Sequence, residues 1–132
     1  MATLTVEEAL DYLYNLIPKG IKLGLNNISA VLNELGNPQL STPSIHIAGT
    51  NGKGSTAAFC ESILRNANYK VGLYTSPHLN HFGERIQVNR IPLTESEVIQ
   101  LVAKVKNAVE NLKIPITFFE FGTAMAFLHF AQ

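Results

Sequence analysis

Apolar residues recur every three or four positions in four stretches of this chain, the spacing that places them on one face of an α-helix. The first stretch predicts a helix over Thr5–Ile17, and the second predicts a short helix that Gly36 and Pro38 terminate. A long helix is predicted after Thr94, and a last helix begins near Thr117. The threonines that open the first, third and fourth helices are each followed three residues later by glutamate, the spacing of a capping box.

A different pattern lies between the second and third of these helices. A short apolar run, residues 44–48, predicts a buried strand that leads directly into glycine. A helix is predicted over Gly54–Ala67, and a second strand over Val71–Thr75. Strand, helix and strand within about thirty residues indicate a right-handed crossover between parallel strands. The predicted fold class is therefore α/β with a parallel sheet.

The rest of the chain adds few strands. A loop of residues 76–84 follows the second predicted strand. Beyond it, Arg85–Val88 and Ile91–Leu93 are predicted to form a hairpin that turns at Asn89-Arg90. A parallel sheet normally has more than two strands and cover on both faces. We therefore expect the chain to be incomplete at its C-terminal end, a piece of a larger α/β domain.

Composition narrows the class of protein. With 132 residues, 46% of them hydrophobic, the chain is long enough for one globular domain with a core. Ten basic residues balance ten acidic ones, so we expect no general attraction to nucleic acid or to an anionic membrane. The single cysteine, Cys60, excludes an internal disulfide, and no signal peptide or membrane span is predicted. The expected location is cytoplasmic.

The main chemical signal is the glycine-rich segment that joins the first predicted strand to the helix after it. Glycines allow consecutive backbone N–H groups to turn around an anion, and the helix N-terminus favours negative charge at the same place. Lys53 adds a full positive charge, and Ser55 or Thr56 supplies a hydroxyl for phosphate or magnesium. We expect a P-loop-type ATP cradle. Its candidate residues are Gly49, Thr50, Asn51, Gly52, Lys53, Gly54, Ser55 and Thr56.

Two other glycine motifs and a purely structural turn are alternatives for this segment. The common P-loop spacing is not met, because Lys53 comes one place too early. The dinucleotide fingerprint is formally met by Gly52, Gly54 and Ala57, but the second predicted strand ends without the acidic residue that would bind a ribose. A tight turn would need one glycine, whereas this segment has three. ATP is favoured over NAD because that acidic residue is missing and because the charge of Lys53 suits a triphosphate better than a pyrophosphate.

Several motifs resemble those of a known family. Residues 49–56 resemble the ATP loop of the Mur ligase superfamily. Residues 73–79, Leu-Tyr-Thr-Ser-Pro-His-Leu, and residues 82–86, Phe-Gly-Glu-Arg-Ile, are similar to blocks of folylpolyglutamate synthase, which in many bacteria is also a dihydrofolate synthase. Residues 117–127 are similar to a third block, and Leu-Gly-Asn-Pro at 35–38 is a weaker fourth. The resemblance covers essentially the whole chain.

The resemblance implies an ATP-dependent amide-bond ligase. Enzymes of this family activate a carboxylate of dihydropteroate or folate as an acyl phosphate, which the amine of L-glutamate then attacks. By resemblance, Lys53 is the catalytic residue and contacts the β- and γ-phosphates, while the backbone of residues 51–55 wraps them. The implied cofactors are ATP and Mg²⁺, and the partners are folate or dihydropteroate and L-glutamate. The full-length enzyme is expected to be a monomer.

The resemblance also implies that Ser76 and Glu120 are protein ligands of magnesium. Oxygen donors suit this ion, and Ser76 follows the second predicted strand, at the end where open α/β sheets bind ligands. Glu120 has an alternative use. Thr117 and Glu120 have capping-box spacing, so the carboxylate could simply cap its own helix.

The loop before the hairpin carries candidate substrate residues. His78 and His81 have a spacing that zinc accepts, but no cysteine or further histidine lies nearby to complete a site. Residues lining a folate pocket are the favoured interpretation, and ordinary surface histidines are the alternative. Phe82 suits an aromatic ring, and Arg85 suits an anionic glutamate tail. The candidate substrate residues are His78, Phe82 and Arg85.

The chain departs from this family in length, because full-length members are several times longer. We expect residues 1–132 to form the N-terminal part of the ATP-binding domain and to have little or no ligase activity alone. The alternatives are another Mur-type amide ligase and a non-catalytic ATP-binding remnant. The expected segments are a helical lead-in at 1–40, the strand–loop–helix–strand unit at 44–75, the loop and hairpin at 76–93, and helices at 94–132.

Overall fold

The computed structural model describes residues 3–132, which form two compact units. The helical unit consists of residues 3–42 and 95–132, and the loop–hairpin unit consists of residues 43–94. In chain order the elements are α1 (Val6–Tyr14), α2 (Asn26–Glu34), α3 (Lys53–Asn66), β1 (Gly72–Tyr74), β2 (Ile86–Val88), β3 (Ile91–Pro92), α4 (Glu95–Leu112) and α5 (Phe118–Phe130). Short 3₁₀ helices cover Ile17–Lys19, Pro38–Leu40 and Phe82–Arg85.

The helical unit packs around α4 and α5. Helices α1 and α2 both contact these two helices, and the side chains with the spacing of a single helix face meet in one core. Phe121 on α5 is fully buried, and the ring of Tyr12 meets it edge-on at 5.5 Å between centroids. The other large side chains completely buried in this core are Leu13, Val31, Val102, Val105, Ile116 and Met125.

The predicted helix starts are confirmed at the first and last helices. The hydroxyl of Thr5 accepts a hydrogen bond from the Glu8 N–H at 3.2 Å, and the Glu8 carboxylate accepts one from the Thr5 N–H at 2.8 Å. Helix α1 ends at Tyr14, before the predicted end at Ile17, because the chain tightens there into the 3₁₀ helix that contains Pro18. The predicted stop of α2 is confirmed, with Gly36 at φ +84°.

The loop–hairpin unit contains a three-stranded antiparallel sheet in the order β1-β2-β3. The predicted hairpin is confirmed: β2 pairs with β3, and Asn89 and Arg90 form its turn with φ values of +50° and +65°. The Asn89 N–H donates to the Val71 carbonyl oxygen at 2.8 Å, and its side-chain oxygen accepts the Val71 N–H at 2.9 Å. The turn is therefore tied to the start of β1.

One of the two strand predictions is wrong, and the other is confirmed. Residues 44–48 form no strand, and Ile45 is 66% exposed. The second predicted strand is confirmed as β1, which pairs antiparallel with β2; no parallel pair forms within residues 3–132. The physical reason is that a strand needs a hydrogen-bonding neighbour, and the described chain places none beside residues 44–48. The predicted combination of helices and sheet is confirmed.

Among the described residues, no helix is both long enough and apolar enough to cross a membrane.

Candidate functional site

The glycine-rich segment forms an exposed turn that leads into α3. Gly52 is the residue before the helix and adopts a left-handed conformation at φ +75°, which glycine tolerates without strain. The first helical hydrogen bond runs from the Thr56 N–H to the Gly52 carbonyl oxygen at 3.0 Å. The N–H groups of Lys53, Gly54 and Ser55 precede that bond and therefore point out of the helix N-terminus. This is the arrangement that an anion requires.

The side chain of Lys53 folds back over its own loop. Its Nζ donates to the carbonyl oxygens of Gly49 at 2.7 Å and Thr50 at 3.4 Å. The ammonium group is exposed and held among neutral acceptors, so charged phosphate oxygens would be stronger partners. A Cβ added at Gly54 would meet nothing within 4 Å, so the fold itself leaves this position open. The candidate phosphate-binding residues therefore lie together, in this turn and in the first turn of α3.

The three candidate substrate residues also come together, in the loop–hairpin unit. The Nε–H of Arg85 donates to Nδ1 of His78 at 2.8 Å, and the Arg85 guanidinium carbon lies 5.7 Å from the centroid of the Phe82 ring. The rings of His78 and Phe82 meet edge-on at 6.1 Å. Burial, followed by the nearby charge of Arg85, lowers the pKa of His78 below its usual value. The neutral imidazole therefore accepts the hydrogen bond from the Arg85 Nε–H at Nδ1.

Phe82 is less accessible than the sequence suggested. The residue is only 4% exposed, so it packs against His78 and Arg85 and offers little of its ring to a ligand. His81 is exposed, and within residues 3–132 no group of three or more His, Cys, Asp or Glu side chains could hold a metal ion. The described chain therefore gives the zinc interpretation no additional ligands.

Glu84 contributes a contact that the sequence reasoning missed. Its carboxylate accepts hydrogen bonds from three successive backbone N–H groups, those of Leu79, Asn80 and His81, each at 2.9 Å. These donors lower the pKa of Glu84, with the Leu79 N–H making the largest contribution. The only sequence signal is the glutamate within the block of residues 82–86, and it does not reveal which amides the carboxylate binds.

Glu120 forms the predicted capping box of α5. Its Oε2 accepts hydrogen bonds from the backbone N–H and hydroxyl of Thr117, each at 3.0 Å. The residue is 8% exposed, and Oε1 is buried with no hydrogen-bond partner among the described residues. A pocket of about 340 Å³ lies beside this carboxylate. Besides Thr117 and Glu120, its lining residues are Gly20, Ile21, Lys22 and Phe119.

The two candidate magnesium ligands belong to different units, Glu120 to the helical unit and Ser76 to the loop–hairpin unit. Ser76 is exposed and precedes Pro77 through a cis peptide bond. The capping alternative for Glu120 is confirmed for Oε2. The unpartnered Oε1 is a hard oxygen donor and fits a metal ligand, so the two uses of this carboxylate do not exclude each other.

A second buried carboxylate, Glu61 on α3, was also missed. Its Oε1 accepts from Nε of Arg65 at 2.7 Å, one helical turn away, and its Oε2 lies 3.7 Å from Nε of Arg90. The Glu61 side chain is 1% exposed, whereas those of Arg65 and Arg90 are 39% and 47% exposed. The pair with Arg65 has a sequence signal in its four-residue spacing, but the contact with the hairpin turn has none.

The amino-acid sequence is similar to those of known proteins. No protein-family model matches the chain. The chain is 42% identical over 130 residues to dihydrofolate synthase/folylpolyglutamate synthase of Bacillus subtilis, covering 96% of this chain and 30% of that protein. It is 43% identical over 123 residues to the protein of the same description from Escherichia coli, and the match covers 93% of this chain and 29% of that protein. The chain thus spans about 30% of the length of these curated relatives.

Solved structures share the fold. Folylpolyglutamate synthase from Thermotoga maritima gives a TM-score of 0.87 at 45% identity, covering 96% of this chain and 30% of that one. E. coli FolC in complex with DHPP and ADP gives a TM-score of 0.88 at 42% identity, and the match covers 98% of this chain and 31% of FolC. An FPGS-AMPPCP-folate complex gives a TM-score of 0.85 at 34% identity, and the match covers 96% of this chain and 32% of that one.

Two of these neighbours have nucleotides bound, ADP in E. coli FolC and AMPPCP in the folate complex. The chain is similar over nearly its whole length to a segment of the folylpolyglutamate/dihydrofolate synthases. The family resemblance indicated by its motifs is confirmed.

Proposed function

We propose that this chain supplies the phosphate-binding loop and part of the substrate-binding surface of an ATP-dependent ligase that joins L-glutamate to folate or dihydropteroate. The observation that carries the proposal is the glycine turn of residues 49–56 at the start of α3, in a chain 42% identical over 130 residues to a dihydrofolate synthase/folylpolyglutamate synthase. The proposed enzyme acts as a monomer in the cytoplasm.

The proposed reaction has two steps. A carboxylate oxygen of the pterin substrate attacks the γ-phosphorus of ATP, and ADP leaves with the electron pair of the broken bond. The amine of L-glutamate then attacks the acyl carbon, phosphate leaves and a proton is lost from nitrogen, so that an amide remains. Phosphoryl transfer depends mainly on positioning and on neutralising charge. A loop of N–H groups with one lysine can supply both.

Lys53 is the proposed catalytic residue. In the described conformation its ammonium group binds the carbonyl oxygens of Gly49 and Thr50. With ATP present, we expect Lys53 to exchange these neutral acceptors for β- and γ-phosphate oxygens, because hydrogen bonds between charged groups are stronger. The N–H groups of Lys53, Gly54 and Ser55 then bind the same phosphates at the helix N-terminus.

His78 and Arg85 are the proposed substrate contacts, and Phe82 supports them. Arg85 carries the positive charge of this cluster, which suits the anionic glutamate tail of a folate. His78 is kept neutral by burial and by the adjacent guanidinium, so it offers a polar ring without a second positive charge. We expect Arg85→Ala to weaken folate binding, and unchanged affinity would contradict this assignment.

Magnesium is the proposed metal, with Ser76 and Glu120 as candidate ligands. When bound, the ion neutralises charge on the transferred phosphate. Glu8→Gln is a matched control for Glu120→Gln, since both glutamates close a capping box with the same hydrogen bonds. We expect Glu120→Gln alone to weaken Mn²⁺ binding with ATP, measured by electron paramagnetic resonance. Equal affinities in the two variants would assign Glu120 to capping only.

Calorimetric titration of the chain with ATP and magnesium tests the proposal. Lys53→Ala should weaken binding by about tenfold or more, the effect of losing a hydrogen bond to a charged group. Lys70→Ala removes the same charge from an exposed position outside the glycine turn and should leave the affinity unchanged. Absence of binding by folded wild-type chain, or equal affinity in Lys53→Ala, would contradict the assignment.

A further inference from the structure

We propose that Glu84 is a positioning residue: its carboxylate fills an anion site made by three successive backbone N–H groups and thereby holds the loop of residues 76–81 in its binding conformation. The functional part of this inference rests on the substrate role proposed above for the same loop. The structural part stands on the contacts of Glu84 alone.

We call the contacts between the Glu84 carboxylate and the N–H groups of residues 79–81 the Glu84 clamp. The clamp uses both oxygens of the carboxylate. Oε2 accepts the Leu79 N–H, and Oε1 accepts the N–H groups of Asn80 and His81, all at 2.9 Å. Successive N–H groups that converge in this way form a concave anion site. Leu79 is 89% exposed and Asn80 and His81 are also exposed, so these side chains do not anchor the loop in an apolar core. The carboxylate therefore replaces core packing as the restraint on this segment.

The backbone around Glu84 is itself fixed. A Cβ at Gly83 would clash with the Leu93 carbonyl oxygen, so only glycine permits this close approach. The Leu93 N–H donates to the Gly83 carbonyl oxygen at 3.2 Å, and the Glu84 carbonyl oxygen accepts from the Gln87 side chain at 2.9 Å. Glu84 thus projects from a backbone segment that is held by contacts on both sides.

The loop is closed on its other side by the next residue. Arg85 donates through Nε to His78, and the Arg85 carbonyl oxygen accepts the Thr75 N–H at 3.0 Å. Residues 76–81 therefore lie between two neighbouring anchors, the Glu84 carboxylate and the Arg85 side chain. If the first anchor is removed, we expect the His78–Arg85 contact to lose its fixed geometry as well.

The three backbone donors keep the Glu84 pKa below its ordinary value of 4.5, so the carboxylate remains ionised at neutral pH. An ionised carboxylate can accept all three hydrogen bonds at once. An amide cannot, because its NH₂ group is a donor and would face backbone donors. Glu84→Gln therefore keeps the shape of the side chain but leaves at least one of the three backbone N–H groups without its acceptor, and it removes the negative charge that strengthens the other two hydrogen bonds.

The test compares hydrogen exchange in the ¹⁵N-labelled wild-type chain, Glu84→Ala and Glu84→Gln. Glu34→Gln, an exposed glutamate outside this unit, controls for the loss of one negative charge. Amides of residues 79–81 should exchange about tenfold or more faster in both Glu84 variants, the effect of losing hydrogen bonds to a charged group. The Thr75 and Asn89 amides report whether the hairpin stays folded.

Two further readouts separate positioning from a local structural effect. The Nε–H signal of Arg85 should lose its exchange protection in the Glu84 variants, and folate added to them should bind about tenfold more weakly than to wild type. Unchanged exchange at residues 79–81, acceleration of the whole chain together, or an intact Arg85 Nε–H signal would overturn the proposal. If wild-type chain binds no folate, the proposed substrate role fails, while the exchange rates still decide whether Glu84 is the clamp.

Discussion

The two units of the chain are held together in different ways. The helical unit contains most of the buried hydrophobic side chains, whereas residues 43–94 contribute only four, Leu73, Phe82, Ile86 and Leu93. The loop–hairpin unit is fixed instead by polar contacts: the Glu84 clamp, the Glu61 ion pairs and the Lys53 hydrogen bonds. The helical unit thus depends on packing, and the unit that carries the candidate phosphate site depends on directional contacts around exposed loops.

The largest expected change in the free energy of unfolding tests whether the helical unit depends on the packing of its apolar core. Phe121→Ala should lower the free energy of unfolding by about 3–5 kcal/mol, because it opens a cavity in the helical core. Phe119 lies on the same helix but is 62% exposed, so Phe119→Ala should cost less than about 1 kcal/mol. Urea unfolding measures both. Equal losses in the two variants would show that the burial of Phe121 does not stabilise the unit.

The next effect concerns the buried Glu61 carboxylate of the loop–hairpin unit and its partly exposed arginine partner Arg65. Arg65→Ala should cost about 3 kcal/mol, because it leaves the buried Glu61 carboxylate without its nearest cation. Glu61→Gln should cost only about 1 kcal/mol, since the remaining arginine side chains are partly exposed to water. The same unfolding measurements distinguish the two variants. A greater loss in Glu61→Gln would mean that Glu61 acts through packing or hydrogen bonding more than through charge.

A smaller effect separates folding from binding within the glycine turn. Gly52→Ala should cost about 1–2 kcal/mol, because alanine is strained at φ +75°. Gly54 lies inside α3 with open space around it, so Gly54→Ala should stabilise the chain by up to about 1 kcal/mol. We also expect Gly54→Ala to weaken ATP binding, because the added methyl group obstructs phosphate approach. Unchanged ATP affinity in this variant would contradict close contact at Gly54.

The smallest effect is a pH dependence in the helical unit. The Thr5 backbone N–H, and then its hydroxyl, lower the pKa of Glu8 below 4.5. Because the folded-state pKa is depressed, this stabilisation is present above pH 4.5 and is lost as pH falls through the lower folded value. Melting temperatures of wild type and Glu8→Ala should therefore converge in acid. Glu7→Ala, one residue earlier and exposed, is the control and should show no such convergence.

Local sequence signals predicted the helical unit well. Capping boxes at Thr5 and Thr117 and the glycine stop at Gly36 act within a few residues, so the sequence alone identifies them. The strand at residues 44–48 was predicted wrongly because pairing depends on a neighbour that no local pattern supplies. The antiparallel pairing of β1 with the later hairpin was not predicted for the same reason, since β2 lies more than ten residues further along the chain.

The same distinction applies to the candidate site. The phosphate turn is contiguous in sequence, so all its residues could be proposed together. The carboxylates of Glu61 and Glu84 were missed because their partners include an arginine at the hairpin turn and three loop amides, which only the folded chain brings near. Polar contacts that depend on tertiary geometry leave little trace in residue spacing.

The central claim is that the backbone turn of residues 49–56 holds nucleotide phosphates, and its most direct test is amide chemical shift mapping. The ¹⁵N-labelled chain is titrated with ATP and magnesium and, separately, with adenosine. We expect the amides of Lys53, Gly54 and Ser55 to shift with ATP and to remain unchanged with adenosine, since only ATP carries phosphates. Equal shifts with both ligands, or ATP-induced shifts confined to other residues, would contradict the account.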